Sequence, residues 1–371
     1  MRVAIIHYWL LGMRGGEKVL ENLCEIFPKA TIFTHVVDKS KLSPLLQKME
    51  IKTTFIANLP FSKRLYKFYL PLMPPALEAL DLSDYDLIIS SESGPAKGVI
   101  PSVKSVHICY CHTPMRYLWD EYRSYYRTAG FFSKSLMILI FPLLRLWDVV
   151  CSNRVDYFIS NSTCVQSRIK KRYGRDSSVI FPPIDLEKIR SFNKDNDKRI
   201  RFKSKNYYIT FGALEPYKRV DLAIEACLHS SRNLLVIGKG SQFNVLKQKY
   251  KYEDNIQILE DVTDQEAMAA MSNAKALIFP GLEDFGLVPL EAQACGIPVI
   301  AFKKGGALDT VTEETGVFFD DQNVDSLIKA LNFLEQNSSK FANNDVYEKN
   351  LKKFTKENFK KEFTSFLSKI L

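Results

Sequence analysis

The 371-residue sequence has no cysteine pairing pattern. Its seven cysteines, at 24, 109, 111, 151, 164, 227 and 295, are odd in number and scattered through apolar segments. That distribution excludes a disulfide framework and predicts reduced thiols in a cytoplasmic setting. Cys109-x-Cys111 has no second pair and no Cys/His cluster nearby, so it reads as strand packing. Asp84-Tyr85-Asp86 and Asp195-Asn196-Asp197 match a D-x-D pattern by letters only, the first opening a strand and the second in a polar linker. No metal site is expected. No stretch reaches the ~20 apolar residues of a spanning helix. The most apolar one, 131–147, has ten uncharged residues at 135–144 and is interrupted by Pro142. It reads as a core helix or as an interfacial helix that docks on a bilayer. The N-terminal MRVAIIHYWL runs into Gly15-Gly16-Glu17 and a helix pattern, which predicts a first buried strand rather than a signal peptide. There is no tandem repeat. No basic motif interleaved with aromatics is present, which argues against nucleic acid as a partner.

What the sequence does have is length for two domains, an ordinary 46% hydrophobic and 25% charged composition, and an uneven charge. The net charge is +9. Residues 1–184 hold 24 Lys and Arg against 15 Asp and Glu, and residues 185–371 hold 27 against 27, so the whole excess lies in the first half. That asymmetry favours an anionic surface or partner there, although a solvated basic surface would look the same. Short buried strands alternate with helix patterns in both halves. In the first, strands are predicted at 2–8, 30–37, 86–91, 105–110 and 155–161. In the second they fall at 207–212, 234–238, 256–259, 276–279 and 298–302. This is an α/β chain of two doubly wound layers. The predicted domains are 1–185, a linker at 186–205, 206–353, and an amphipathic segment 354–371 that returns to pack on the first domain.

The stretch 275–302 carries the densest signal. A buried strand ends at Pro280-Gly281, a helix runs from about 285 to 295 before Gly296, and a second buried strand follows, which makes a right-handed parallel crossover. Ligands bind at the carboxyl edge of such sheets, and the loop there is Gly281-Leu282-Glu283-Asp284-Phe285-Gly286. A helix starting at Gly286 aims unpaired N–H groups above the loop, a setting that suits phosphate. Glu283 in the loop and Glu291 in the helix can hold two ends of one elongated ligand. By spacing alone, Glu283-Asp284 is equally well a helix cap and Glu291 a solvated residue. Lys218, on a loop after a strand, can place a point charge on a diphosphate. His112 and Arg116 follow the strand 105–110.

The segment 283–301, E-D-F-G-x-x-P-x-E-A-x-A-x-G-x-P-V-I-A, resembles the signature of the retaining glycosyltransferases of family 4, which have the GT-B fold. Gly305-Gly306-Ala307-Leu308-Asp309 resembles that family's G-G-x-x-E/D turn, and Gly15-Gly16-Glu17 its G-G-x-E loop. C-H-T-P-x-R-Y-x-W, from Cys111, is similar to a segment of its mannosyltransferase-like branch. The resemblance implies two Rossmann-like domains facing across a cleft. It further implies a nucleotide-sugar as substrate rather than a cofactor, and a glycan or lipid-diphosphate-linked glycan as acceptor. Mannose from GDP-mannose, used in bacterial surface-polysaccharide assembly, is the expected chemistry, in a cytoplasmic enzyme peripheral to the inner face of the cell membrane. Glu283 and His112 are the implied catalytic residues. Gly15, Gly16, Lys218, Arg219, Asp284, Phe285, Gly286, Leu287 and Glu291 would bind the donor and Arg116 the acceptor phosphate. The sequence departs from the family at Ala213, where an arginine of the phosphate clamp normally stands; Arg219, Lys239 or a first-domain cation would have to compensate. Two other readings fit the same residues: a nucleotide-sugar epimerase of this fold, and a catalytically inactive binding protein.

Overall fold

The computed structural model describes residues 1–194 and 206–371. The chain forms two compact units, Met1–Pro183 together with Lys360–Leu371, and Ile184–Phe359. The helix Leu186–Lys194 occupies the first part of the stretch read as a linker, and its Ile189 is buried in the core of the second unit. The remainder, with Asp195-Asn196-Asp197, lies outside the described residues.

The first unit is built on a seven-stranded sheet in the order β3-β2-β1-β4-β5-β6-β7, every pair parallel. Its strands are β1 Val3–His7, β2 Thr31–Thr34, β3 Glu50–Thr53, β4 Leu87–Glu92, β5 Val106–Cys111, β6 Tyr157–Ser160 and β7 Ser177–Val179. The second unit has six parallel strands in the order β10-β9-β8-β11-β12-β13. These are β8 Tyr208–Phe211, β9 Leu234–Ile237, β10 Ile256–Leu259, β11 Leu277–Phe279, β12 Val299–Phe302 and β13 Gly316–Phe319. Covered on both faces, the central strands need continuous apolar runs. VAIIH and LIISSE are buried at every position. Edge strand β3, EIKT, is half-exposed and charged, so no periodic signal marks it.

In each sheet the strand order reverses once, between β1 and β4 and between β8 and β11. Such a switch point opens a crevice at the carboxyl ends of the two strands. The loops after β1 and β4, and after β8 and β11, therefore border these crevices.

Two local expectations need correction. Gly15-Gly16 is not a loop but the first turn of the helix Gly15–Ile26, and positive φ among glycines occurs at 174, 212, 240, 286, 296 and 305 instead. Pro142 does not interrupt its segment. The helix runs unbroken over Phe131–Ser152, and Ser133–Ser152 is long and apolar enough to cross a membrane by length and composition. Proline removes one N–H donor, and here its ring sits on the exposed side of the helix. The terminal helix Lys356–Ile370 buries Phe359, Phe363 and Leu367. Within the first unit Phe363 meets Phe27 edge-on at 6.4 Å, and Lys360 Nζ lies 2.5 Å from Glu25 Oε2.

Candidate active site

In the second unit the switch-point loops bring Lys218 and Glu283 together. The chain leaves β8 at Phe211, passes exposed Ala213, and makes one 3-10 turn, Pro216–Lys218. Arg219 follows in the left-handed region at φ 52°, ψ 40°. A non-glycine residue there costs on the order of 1–3 kcal/mol and persists only where its surroundings fix it. The turn leaves Lys218 Nζ donating to Glu283 Oε1, with both side chains more than four-fifths buried. Close backbone approach holds the two loops. A Cβ on Gly281 would lie 2.9 Å from Lys218 Cα, and one on Gly306 would lie 2.2 Å from both Cα and O of Phe285. Gly306 N–H donates to Glu283 O at 2.9 Å. The G-G turn seen in the sequence therefore clamps the acidic loop from behind.

Phe285 is buried edge-on against Phe354, at 5.8 Å between ring centroids. Gly286, at φ 98°, is the N-cap of the helix Leu287–Ala294 and, as glycine, brings no capping side chain of its own. Leu287 opens that helix, and Glu291 lies one turn further on, partly buried; Asp284 is likewise partly buried. Arg219 turns to Asp221, with Nε 3.2 Å from both carboxylate oxygens. Lys239 pairs with Asp261 at 2.6 Å. Neither cation offered as a substitute for the arginine missing at 213 stands unpaired.

In the first unit, β1 ends at His7 and β4 runs past Ser91 to Glu92, while His112 follows β5. His112 Nε2 is 3.0 Å from Ser91 Oγ. A Cβ on Gly16 would lie 3.2 Å from the Tyr8 hydroxyl, 3.5 Å from His7 Cε1 and 3.7 Å from His112 Nε2. Glycine at 16 is what lets the helix start come so close to these rings. Burial lowers the His112 imidazole to about 4. Burial, and then the neighbouring His112, lower His7 to about 3. Both rings are neutral near pH 7 and bring no formal charge to this edge. The sequence reading missed His7, which is wholly buried with neither ring nitrogen in a well-formed hydrogen bond. One signal was available: it is the polar last residue of an otherwise apolar strand, at the ligand edge of the sheet. Arg116, proposed for acceptor phosphate, donates from Nη2 to Glu121 Oε1 at 3.1 Å.

Behind this edge lies a buried ionic network the sequence did not announce. Lys97 Nζ donates to Glu92 Oε1 at 2.8 Å and pairs with Asp148, while its main-chain N–H donates to Glu92 Oε2 at 2.6 Å. Asp148 also accepts from Trp119 Nε1 at 2.7 Å and from the Tyr173 hydroxyl at 3.0 Å. Desolvation pushes the Glu92 carboxyl up to about 7. Glu92, Cys109 and Cys111 place potential ligand atoms within 4.8 Å of one another. Lys97 already takes both Glu92 oxygens, and burial holds the Cys111 thiol well above its usual range, so this donor set is poorly suited to a cation.

A family model described as "Glycosyltransferase Family 4" matches residues 13–188, and one described as "Glycosyl transferases group 1" matches residues 191–355. The chain is 24% identical over 414 residues to the alpha-1,3/1,6-mannosyltransferase ALG2 of Candida glabrata, covering 93% of this chain and 88% of that protein. Over a shorter span of 136 residues it is 35% identical to a GDP-mannose-dependent monoacylated alpha-(1-6)-phosphatidylinositol monomannoside mannosyltransferase of Corynebacterium glutamicum. That match covers 32% of this chain and 35% of the relative. Among solved structures, Anabaena HepE in complex with UDP superposes with a TM-score of 0.73 at 16% identity, covering all of both chains. The lipopolysaccharide outer core galactosyltransferase WaaB superposes at 0.67 with 17% identity, again covering all of both chains. With two switch-point parallel sheets and a pair of family models spanning residues 13–188 and 191–355, the chain belongs to the family 4 glycosyltransferases of the GT-B fold.

Proposed function

We propose that this glycosyltransferase is a retaining mannosyltransferase that moves mannose from GDP-mannose to a lipid-diphosphate-linked glycan, in bacterial surface-polysaccharide assembly at the inner face of the cell membrane. The observation that carries the reading is the Lys218–Glu283 pair at the switch point of the second sheet. A departing nucleoside diphosphate needs positive potential where its charge develops. Lys218 supplies it as a point charge, and the helix N-terminus at Leu287 adds oriented N–H groups. As the diphosphate takes Lys218, Glu283 is released to accept hydrogen bonds from the donor sugar's hydroxyls. Glu291 takes the ribose, Arg219 adds a second cation near the diphosphate, and Asp284 and Phe285 fix the loop. In the first unit, Gly15 and Gly16 open a helix whose start lies close to neutral His112; His112 is assigned to the sugar and Arg116 to the acceptor phosphate. No metal enters this scheme, because cationic side chains and helix N–H groups carry the leaving-group charge. The mannosyltransferase relatives support the choice of sugar.

The test is turnover of a nucleotide-sugar panel with a lipid-diphosphate glycan acceptor. Glycan extension from GDP-mannose with the anomeric configuration retained is the expected result; extension from UDP-sugars alone overturns the donor assignment. A second reading, a binding protein without turnover, draws on exposed Ala213 and on the pairing of Arg219 and Lys239 with Asp221 and Asp261. Donor binding with no product from any acceptor would select it.

A further inference from the structure

The helix Phe131–Ser152 buries one face in the first unit, through Met137, Leu144, Asp148 and Cys151. From Leu136 to Val150 every exposed side chain on it is apolar: Leu136, Ile138, Leu139, Pro142, Leu143, Leu146 and Val150. Leu139, Leu143 and Leu146 are 70, 67 and 64% exposed. A helix apolar on both sides has something covering its outer face.

The residues around that face identify what covers it. No Asp or Glu occurs in 51–77 or in 122–147. These two segments meet in one cluster, where Leu70, Ile140 and Phe141 all pack against buried Met115, Leu118 and Leu144. The same two segments carry exposed Lys63, Arg64, Lys67, Arg123 and Arg127, together with exposed Phe61, Phe68 and Tyr125, and the short helix Tyr122–Thr128 meets the apolar one where Tyr122 lies 5.8 Å from Phe141 between ring centroids. Lys63 lies 3.9 Å from Asp38; the acid-free segments supply no counter-charge of their own. Cations and aromatics on the segments that pack beside an apolar helix are the composition of a surface seated in lipid headgroups.

We infer that the first unit docks on anionic bilayers through this helix, lying in the interface with Leu136, Leu139, Leu143 and Leu146 in the acyl boundary and the cations of 63–67 and 123–127 on phosphate headgroups. The helix lies on the membrane and does not cross it, because its inner face carries Asp148, which accepts from Lys97, Trp119 and Tyr173. Extracting that face into lipid would break a buried ionic network. A second copy fits less well. A self-complementary helix seam carries opposite charges along its flanks, whereas two copies here would set like cations against each other. The docking surface deepens the membrane side of the proposed function and is independent of the donor chemistry.

The test is flotation of the full chain with vesicles of equal phosphatidylcholine and phosphatidylglycerol, against vesicles of phosphatidylcholine alone. The expected result is selective binding to the anionic vesicles, weakened as salt rises toward about 0.5 M. Leu139→Ser/Leu143→Ser/Leu146→Ser, all at exposed positions, should cut binding by more than about tenfold with circular dichroism unchanged. Arg123→Glu/Arg127→Glu should cut it by roughly fivefold per charge removed. Equal partition onto both vesicles, or a triple variant that binds as well as the parent, overturns the inference. A dimer in sedimentation velocity that the triple variant dissolves, with no vesicle binding, overturns it in favour of a second copy. Transfer from GDP-mannose to a soluble acceptor is read in parallel: lost vesicle binding with transfer intact refutes the surface alone, and vesicle binding with no transfer upholds the surface while refuting the reaction.

Discussion

The two switch-point edges differ in the kind of polar group they gather. Beside β1 and β4, the first sheet assembles neutral rings and hydroxyls, His7, Tyr8, Ser91 and His112, around a helix start that comes close to them at Gly16. Beside β8 and β11, the second sheet assembles formal charges, Lys218 against Glu283, held by glycine contacts behind the loop. One topology thus gathers formal charges at one edge and neutral hydrogen-bonding groups at the other. On the proposed reading the charges meet a departing diphosphate and its sugar, and the neutral groups add hydrogen bonds.

The largest effect expected is at the charged edge. Glu283→Ala should lower kcat/KM by about 10²–10³ with the fold retained, since its carboxylate pairs with Lys218 rather than packing among apolar side chains; steady-state transfer assays check this, and full retained activity removes Glu283 from the site. Lys218→Ala should act mainly through the leaving group, with a loss of about 10²-fold carried in kcat more than in KM. Gly306→Ala sharpens the packing side of the comparison. Its Cβ would meet Phe285 backbone at 2.2 Å, so stability should fall by about 1–3 kcal/mol in urea titration, and donor affinity should fall with it.

At the neutral edge the effect is one of pH. His7 and His112 titrate in the unfolded chain near 6.5 and in the fold near 3 and 4. Between those values the unfolded state binds more protons. Their contribution is therefore complete above about 6.5 and is lost as pH falls toward 4. Chemical denaturation across that range should show the drop, and His112→Gln should flatten part of it, while kcat/KM near neutrality should show no step from His112. The smallest effect belongs to Arg219→Gly. Relief of its left-handed backbone and the added chain entropy of glycine nearly cancel, leaving a stability change under ~1 kcal/mol; a rise in donor KM would mark the lost cation.

Much of this was legible because fully buried parallel strands leave continuous apolar runs, and because Gly281, Gly286 and Gly305-Gly306 stand where the backbone must turn or touch. The strand cores at 86–91, 256–259 and 298–302 could be placed from residue pattern alone. Half-exposed β3 could not, having no period to read. The pairing of Arg116 with Glu121 and of Arg219 with Asp221 could not either, since a cation's letter does not say which carboxylate reaches it. Nor could Pro142 be judged, because a helix tolerates proline where its ring sits on the exposed side.

Local pattern determined the alternation of strand and helix, the loops that end at the ligand edge and the acidic loop with its glycine punctuation, because these depend on residues within one turn or one strand of each other. Tertiary structure alone decided that Lys218 would meet Glu283 across 65 residues, that His7 would face His112 and Gly16, and that Lys97, Glu92 and Asp148 would share one buried network. Those meetings follow from strand order, and order is fixed by which apolar faces pack together rather than by any stretch read alone.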